Sequence, residues 1–405
     1  MKRKWLMGLS IAAVAIGCTL AKQGDIKTVD KNLYSVWMAQ SEMARHPESW
    51  MIENAKQPRW GYTWGVVNKA MLDLWKYNGD KTYFDYAKGY ADTLISPAGR
   101  IRTYDYSSFN IDNINAGKIL FDIYREAGNV KYKMAIDTLR KQMREHPRTS
   151  EGGFWHKKRY PWQMWLDGLY MSSPFLAQYA LEFNEPELFD EVANQVVLMA
   201  KHTYDAETGL FYHAWDEKCE QKWADKETGQ SPNFWGRAMG WFGMALVDIL
   251  DFMPYDHPKR KEIVDVMQKV ADGIVKFQDK ESGVWYQVVD QGDREGNYLE
   301  SSASSMFVYF LYKAVRMGYL DDSYLEAAGN GYKGILDNLI EENADGTISL
   351  TNCCAVAGLG GNPYRDGSFE YYISEPVIKN DPKAIGPFIW ASIEHEMANN
   401  RKDSI

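Results

Sequence analysis

The sequence predicts an all-α fold, an (α/α)6 barrel of six helical hairpins with long loops at one rim. Six segments are apolar on nearly every side, six others are amphipathic with apolar residues at helical spacing, and the two kinds alternate along the chain. A helix that is apolar all round must be surrounded by protein, whereas an amphipathic helix can form an outer wall. The alternation therefore predicts an inner ring of six helices inside an outer ring of six.

The apolar segments begin with small or glycine-rich residues. Two of them, residues 60–74 and 235–249, align without gaps and share a tryptophan, two glycines, an alanine and an aspartate. In chain order the six segments are WGYTWGVVNKAMLDL (60–74), DNINAGKILFDIY from Asp112, DGLYMSSPFLAQYA from Asp167, WGRAMGWFGMALVDI (235–249), SSASSMFVYFLYKAV from Ser301 and GPFIWASIEHEMA from Gly386. We expect them to form the inner ring.

The amphipathic segments precede the apolar ones in each pair. They span residues 32–46, 82–95, 132–146, 187–202, 259–277 and 323–340. We expect these six helices to form the outer wall.

The connections between helices are of two kinds. Those that leave outer helices and enter inner ones are long and aromatic and carry strand-like pieces, whereas returns such as YNGDKT and FNEPE are short. Long loops should therefore gather at one rim, around the N-terminal ends of the inner helices, and long loops in compact domains are usually functional. The glycine-rich stretch 353–369 lacks the order of a phosphate-binding loop, so we interpret it as a rim loop.

Composition describes a folded chain that is unsuited to nucleic acid. The 405 residues are 45% hydrophobic and 25% charged, enough for a large core, and the formal net charge of −9 argues against nucleic-acid binding. Three cysteines, Cys219, Cys353 and Cys354, form neither a disulfide framework nor a zinc-ligand pattern. We expect no metal or cofactor, and a monomer or a weak homo-oligomer.

Residues 1–21 have the pattern of an export signal: a basic start, a short apolar stretch and small residues. The apolar run is too short to span a bilayer as a mature helix. Two cleavage sites compete, one before Cys18, which would then be a lipid anchor, and one before Lys22. We expect an exported bacterial protein, either periplasmic or a membrane-anchored lipoprotein, with residues 30–401 as a single barrel domain.

Two aspartates, Asp112 and Asp167, each open an inner helix. Either could be a helix N-cap, because an aspartate side chain accepts backbone N–H groups. Ser172 and Ser173, just before Pro174, offer an alternative cap that would leave Asp167 free. A carboxyl group kept poorly solvated by Trp165 and its apolar neighbours suits a general acid, and paired carboxylates occur in sugar hydrolysis.

Arg237 opens the fourth inner helix, where Tyr62 stands in the aligned segment. A buried guanidinium needs an anion, so Arg237 either binds an acidic ligand or forms a structural ion pair with Asp or Glu. Trp241, one turn further on, either stacks on a ring of the ligand or fills the core.

The histidines fall into two groups. His156 and His213 lie in aromatic loops that lead into inner helices, and a binding role is as consistent with their position as a structural one. The remaining five occupy predicted helix ends or outer positions and are interpreted as structural: His46, His146, His202, His257 and His395.

Taken in order, the motifs IDNIN, FWH, WLDGLYM, LFYHAWD, WGRAMGW and GPFIWASIEHE resemble glycoside hydrolase family 105, the unsaturated rhamnogalacturonyl hydrolases. The resemblance runs from about residue 30 to the C-terminus. It implies an (α/α)6 barrel that removes a 4,5-unsaturated uronic acid from the non-reducing end of small acidic oligosaccharides produced by polysaccharide lyases. It implies no metal and no organic cofactor.

The resemblance also implies residue roles. The aspartate matching Asp167 protonates C4 of the vinyl ether, water adds at C5, and the resulting hemiketal opens to release the aglycone. The aspartate matching Asp112 positions the sugar or the water. His213, Arg237 and Trp241 match binding-pocket positions, with Arg237 or His213 expected at the uronate carboxylate. Trp165, His156 and Tyr62 complete the expected pocket. One departure is the DG pair at residues 167–168, where other members carry two acidic residues.

Three alternatives remain open at this stage. An unsaturated glucuronyl hydrolase acting on glycosaminoglycan fragments would share the fold and the mechanism. An N-acylglucosamine 2-epimerase shares the barrel, but its chemistry requires paired histidines on inner helices, and here the two candidates lie in loops. A sugar-binding lipoprotein would explain the export signal and Arg237 without requiring a poorly solvated Asp167.

Overall fold

The computed structural model describes Lys31 and residues 33–402, with the side chains of the last two left out. The predicted export signal and Cys18 lie outside these residues. Across the part of the chain that is described, no helix is both long and apolar enough to cross a membrane.

Fourteen α-helices follow one another along the described residues. They are α1 (Tyr34–Arg45), α2 (Tyr62–Asn78), α3 (Lys81–Leu94), α4 (Asp112–Asn115), α5 (Lys118–Ala127), α6 (Val130–Glu145), α7 (Leu166–Phe183), α8 (Glu187–Thr203), α9 (Gly236–Ile249), α10 (Arg260–Lys276), α11 (Ser301–Arg316), α12 (Tyr324–Leu339), α13 (Phe369–Ser374) and α14 (Pro382–Lys402). The six predicted inner and six predicted outer segments all form helices.

The inner helices close into a ring. Each packs against the next, in the order α2, α4 with α5, α7, α9, α11 and α14, and α14 packs back on α2. The outer helices α3, α6, α8, α10 and α12 pack on the inner helix that precedes them, and α1 packs on α14. The predicted (α/α)6 arrangement is confirmed, and the first and last helices meet to complete it.

Tight turns join several hairpins because of their local sequence. Gly79 and Gly128 follow α2 and α5 in the left-handed conformation, with φ of 76° and 66°, which a glycine adopts without steric cost. The next residue then caps the outer helix. Asp80 caps α3 by accepting from the Thr82 N–H at 2.9 Å, and Asn129 caps α6 by accepting from the Lys131 N–H. Two residues thus end one helix and start the next.

The starting ends of the inner helices lie together at one rim. Asn115 of α4 donates to Tyr62 O of α2 at 3.0 Å, and Arg237 of α9 donates to Ser302 Oγ of α11 at 2.7 Å. Leu166 N, at the start of α7, donates to the carbonyl of His213 in the loop that leads to α9. The long loops therefore meet around one opening, as the connection lengths predicted.

Three short two-stranded sheets brace these loops. They pair β1 (Gln163–Trp165) with β2 (Ala214–Asp216), β3 (Ile340–Glu342) with β4 (Ile348–Leu350), and β5 (Cys353–Cys354) with β6 (Val377–Ile378), all antiparallel. The β1–β2 register places Trp165 opposite Ala214, so that the loop before α7 and the loop before α9 are held side by side.

Two glycines allow inner helices to approach closely, and they occupy equivalent positions in the two aligned segments. A Cβ on Gly65 would lie 2.6 Å from the Cα of Ala116, and a Cβ on Gly240 would lie 2.6 Å from Met306 Sδ on α11. The sequence similarity between residues 60–74 and 235–249 therefore reflects a shared packing requirement.

One alternative helix cap and one helix start differ from the sequence prediction. The proposed cap at Ser172 and Ser173 is wrong, because α7 begins at Leu166 and Pro174 lies inside it. Ser172 Oγ instead donates back to Gly168 O at 3.0 Å. The last inner helix begins at Pro382, four residues before Gly386, where the Asp381 carboxylate accepts from the Lys383 N–H and proline is favoured at the first helical position.

His146 is structural, as the sequence indicated, and it anchors the rim. Its Nε2 lies 2.7 Å from Trp155 O, and its ring packs edge-on against Phe109 and Phe154. Burial lowers the pKa of His146 to about 4. The imidazole is thus neutral in the folded protein over a range where it would be protonated in the unfolded chain.

We predict that Gly65→Ala lowers the free energy of unfolding by about 2 kcal/mol, because the backbone of Ala116 cannot withdraw from the added methyl group. Gly89→Ala, on the exposed face of α3 with its nearest neighbour 3.7 Å away, should instead raise stability by about 0.5–1 kcal/mol. Urea denaturation of both variants measures the change in the free energy of unfolding. An equal gain in stability in the two variants would contradict the close approach of Gly65 to Ala116.

We also predict that acid unfolding depends on His146. The unfolded state binds a proton below about pH 6.5 while the folded state does not until about pH 4, so this histidine lowers stability progressively as the pH falls through that window, by about 3 kcal/mol in total. His146→Gln, which can still reach Trp155 O, should flatten the pH dependence of the unfolding free energy relative to the native protein. Parallel curves between pH 7 and 4 would refute this.

Candidate active site

Asp167 is the second residue of α7 and its side chain is 14% exposed. No side chain caps this helix, so the carboxylate is not used as an N-cap. Its Oδ2 lies 3.1 Å from His213 Nε2, although among the described residues neither atom has a well-aligned hydrogen bond. A buried carboxylate oxygen without a hydrogen-bond partner is unusual in a folded protein, and a catalytic role is one of the reasons for which it occurs.

His213 is fully buried behind Asp167. Its Nδ1 lies 2.8 Å from Tyr372 Oη, and its ring lies between Trp165 and Trp235 at centroid distances of 5.2 and 4.8 Å. Burial raises the pKa of Tyr372 well above its usual value, so the hydroxyl keeps its proton and can donate it to Nδ1. With that tautomer, assigned from the contacts, Nε2 carries a hydrogen that faces Asp167.

Asp112 begins α4 and lies in a second charged group. Its Oδ2 is 2.5 Å from Lys157 Nζ and its Oδ1 is 3.6 Å from His156 Nε2. The residue before α4 provides no side-chain cap and Asp112 makes ion pairs instead. Neither Asp112 nor Asp167 therefore caps its helix, and each lies beside one of the two predicted histidines.

An aromatic stack connects the two aspartates. The His156 ring lies parallel to Trp165 at 4.3 Å, and Tyr160 covers the same indole at 5.1 Å. Burial, with the nearby ammonium of Lys157, holds the pKa of His156 well below its usual value, so this imidazole is neutral. His156 thus acts as a wall of the site and as a neutral hydrogen-bonding group.

The structure gives a reason for glycine at position 168, after Asp167. A Cβ at this position would lie 3.1 Å from His156 Nδ1, which is buried and has no hydrogen-bond partner among the described residues. In this chain the glycine leaves room for the histidine ring to stack on Trp165.

Arg237 is buried in an ion-pair network. Its Nη2 lies 3.4 Å from Glu300 Oε1 and also contacts Cys353 Sγ and Cys354 O, while Nε donates to Ser302. Glu300 in turn caps α11 by accepting from the Ala303 N–H at 2.7 Å. The sequence left open a structural ion pair or an acidic ligand, and the geometry supplies the ion pair. Nη1 is less engaged, with one contact of 3.5 Å to Ala355 O.

Tyr62 and Trp241 complete the set of predicted residues. Tyr62 opens α2, and its pKa is raised well above the usual value by burial and by the negative charge of Asp112, so the phenol is neutral and close to that carboxylate. Trp241 is buried and stacks on Tyr170 at 4.8 Å, a packing contact inside the barrel. The structure thus groups Asp167 with His213 and Trp165, and Asp112 with His156 and Tyr62.

Four residues that support this site were not predicted from the sequence. They are Lys157, Tyr372, Trp235 and Glu300, which respectively pair with Asp112, orient His213, cover its ring and hold Arg237. The run HKKRY beside His156 was the available signal for Lys157; the contact of Tyr372 crosses 159 residues of sequence and has no local signal. Within the described residues, no group of three or more His, Cys, Asp and Glu could hold a metal ion.

Comparison with known proteins agrees with this geometry. Residues 34–399 match the family model described as Glycosyl Hydrolase Family 88. A solved family 105 glycoside hydrolase of C. acetobutylicum ATCC 824 is 45% identical, covers 90% of this chain and 99% of its own, and superposes with a TM-score of 0.87.

Two further similarities are more distant. The unsaturated rhamnogalacturonyl hydrolase YesR of Bacillus subtilis (strain 168) is 24% identical over 61% of this chain and 68% of its own length. The unsaturated glucuronyl hydrolase of Bacillus sp. GL1, responsible for the degradation of glycosaminoglycan, shares the fold with a TM-score of 0.64 at 14% identity, over 90% of this chain and 95% of its own. The chain belongs to Glycosyl Hydrolase Family 88 and its family 105 relatives: it is a glycoside hydrolase of the unsaturated glycuronyl hydrolase type.

Proposed function

We propose that this protein removes the 4,5-unsaturated uronic acid from the non-reducing end of oligosaccharides produced by a polysaccharide lyase, with rhamnogalacturonan fragments as the preferred substrates. The observation that carries the proposal is the position of Asp167, at the start of an inner helix, against His213 and with an oxygen that has no hydrogen bond within the described part of the chain. The similarity to a curated unsaturated rhamnogalacturonyl hydrolase supports the choice of aglycone.

In the proposed reaction Asp167 is the general acid. Its carboxyl proton is transferred to C4 as the 4,5 double bond is consumed, water forms a bond to C5, and the proton of that water returns to the Asp167 carboxylate. The product is a hemiketal at C5. Its ring opens to a ketone and a hemiacetal at C1, which expels the aglycone as an alcohol, so one water molecule is consumed overall.

His213 and Tyr372 position the acid. The 3.1 Å contact from Nε2 to Asp167 Oδ2 would stabilise the carboxylate that exists after proton transfer. The Tyr372 hydroxyl, at 2.8 Å from Nδ1, holds the imidazole in the required tautomer. These contacts favour a reversible proton transfer at one carboxyl group.

Asp112 and its partners would hold the substrate. Lys157 fixes the orientation of the Asp112 carboxylate, which is then placed to accept a hydroxyl group of the sugar or the attacking water. Trp165 supplies a flat apolar face for the ring. For the uronate carboxylate we retain Arg237 and His213 as candidates; Arg237 would contribute through Nη1, the nitrogen least engaged by Glu300 and the neighbouring loop.

A second substrate class is unsaturated glucuronyl oligosaccharides from glycosaminoglycans. The fold shared with the Bacillus sp. GL1 enzyme supports it, but that similarity concerns the barrel and not the loops that contact an aglycone. Following the ultraviolet absorbance of the conjugated double bond with lyase products from rhamnogalacturonan and from glycosaminoglycans distinguishes the two.

We further propose that the protein acts after export, either in the periplasm or anchored through Cys18.

We predict that Asp167→Asn lowers kcat by about 10²- to 10⁴-fold while substrate affinity changes only a few-fold, because the amide keeps the shape of the carboxyl group and cannot donate the proton. The loss of ultraviolet absorbance gives kcat, and calorimetry gives the affinity. Asp85→Asn, on the exposed face of α3, is the matched control. Near-native turnover by Asp167→Asn would exclude it as the acid.

We predict that Tyr372→Phe lowers kcat about tenfold with little change in KM, since one hydrogen bond worth about 1.4 kcal/mol no longer fixes the His213 ring. Tyr312→Phe removes a comparable tyrosine–histidine contact, 2.9 Å to His395 Nδ1, far from the site and serves as the control. Equal effects of the two variants on kcat would contradict a positioning role for Tyr372.

A further inference from the structure

A basic loop borders the candidate active site. Lys157, Lys158 and Arg159 follow His156 directly, and Tyr160 follows them. The loop is closed at its base, where His156 N donates to Gln163 O at 2.7 Å, and Tyr160 N donates to Lys157 O at 2.8 Å. Three consecutive cations are therefore held in a tight turn beside the aromatic stack.

Two of these cations have no acidic partner. Lys158 and Arg159 are exposed, and no ion pair within 4.0 Å joins either to an acid in the described part of the chain. They lie over aromatic rings instead, with Lys158 Nζ 5.7 Å from the Phe109 centroid and Arg159 Cζ 4.8 Å from that of Tyr160. In a protein of net charge −9, two adjacent cations without an acidic partner in the described structure form a local positive patch that attracts anions.

Nearby acids are engaged elsewhere. Asp105 accepts from the backbone and hydroxyl of Ser107, and Glu145 accepts from Tyr106 Oη. They are therefore bound within their own part of the rim, leaving the positive charge of Lys158 and Arg159 available to a ligand.

The same cations line a cavity. It has a volume of about 350 Å³ and is bounded by two polar and three basic residues, Ser108, Asn110, Lys157, Lys158 and Arg159. We name it the basic rim cavity. Lys157 belongs both to this cavity and to the ion pair with Asp112, so the cavity adjoins the candidate active site through this residue.

The segment that contributes Ser108 and Asn110 to the cavity contains a residue with strained backbone geometry, Phe109. Phe109 has φ of 40°, a left-handed conformation that bulky residues adopt at a cost of about 1–3 kcal/mol. This conformation carries the chain from Ser108 to Asn110, whose Oδ1 accepts from the Asp112 N–H at 3.1 Å. One segment therefore both lines the cavity, through Ser108 and Asn110, and holds the backbone of Asp112.

Arg365 extends the positive surface from the far side of Tyr160. Its Nη2 donates to Tyr160 Oη at 3.0 Å, and its remaining contacts in the described structure are carbonyls of the glycine-rich loop, Gly360 O and Leu359 O. Tyr160 therefore lies between two guanidinium groups, those of Arg159 and Arg365, with its ring fixed on Trp165.

We propose that the basic rim cavity is an aglycone subsite that binds an anionic group beyond the sugar attached to the unsaturated uronate. This inference rests on the proposed function. The group is an oxyanion, either the carboxylate of a second uronic acid in a longer lyase product or a sulfate ester, bound by Lys158 and Arg159 with Ser108 and Asn110 as hydrogen-bonding partners. The enzyme would thereby prefer acidic tetrasaccharides to disaccharides that carry a neutral aglycone.

The test compares Lys158→Gln/Arg159→Gln with the native enzyme on three substrates: an unsaturated disaccharide with a neutral aglycone, a tetrasaccharide with a second uronate, and the same tetrasaccharide reduced at that carboxyl group. We expect the ratio of kcat/KM for the acidic tetrasaccharide over the disaccharide to fall about tenfold in the variant. The native ratio should also fall with added salt, because exposed charge pairs are screened. A sulfated disaccharide tests sulfate as the source of the oxyanion.

Lys261→Gln/Lys269→Gln, on the outer wall in α10, removes the same charge away from the rim and should leave the ratio at its native value. An unchanged ratio in the Lys158→Gln/Arg159→Gln variant, or a native enzyme that treats acidic and reduced tetrasaccharides alike, would overturn the subsite. Calorimetry with Asp167→Asn compares the affinities for the same substrates without turnover. If only the proposed reaction is wrong, the difference in affinity between acidic and neutral substrates remains. If the subsite is wrong, that difference is absent.

Discussion

The architecture depends on one constraint: a helix that is apolar on all sides must be enclosed by protein. Six such helices can all be enclosed if each contacts two neighbours in a ring and a second layer of helices covers the outside of that ring. The ring observed here closes from α14 back to α2, and close contacts at Gly65 and Gly240 bring successive inner helices together. Because the inner helices are entered through long loops, and those followed by an outer helix are left through shorter ones, the long loops gather at one opening and the site forms there.

The site is built where helix starts meet loops from other hairpins. Asp167 and Asp112 are held by the first turns of α7 and α4, while the groups that orient them, His213 and Lys157, come from loops. The two carboxylates have different surroundings. Asp167 lies beside the His213 imidazole and aromatic rings, whereas Asp112 has an ammonium group at 2.5 Å. This difference suits one residue to proton transfer and the other to holding substrate or water.

Periodicity predicted the helices, their alternation and the rim, because apolar spacing at 3.6 residues reports directly on burial. It also indicated Asp167, whose apolar neighbours are local in sequence. The alternative cap at Ser172 and Ser173 was wrong, because α7 begins at Leu166, one residue before the predicted Asp167, and continues through Pro174. The Tyr372–His213 contact and the Arg237–Glu300 pair could not be predicted, because they join segments 159 and 63 residues apart through tertiary structure alone.

The most direct test of the account is a crystal structure of Asp167→Asn with an unsaturated oligosaccharide bound. The account predicts that the residue 167 side chain lies about 3–3.5 Å from C4 of the unsaturated ring, the separation expected for a reacting pair, with Asp112 against a ring hydroxyl or a water near C5. A structure in which residue 167 instead contacts the glycosidic oxygen, with C4 out of its reach, would contradict protonation of the double bond and favour direct cleavage of the glycosidic bond.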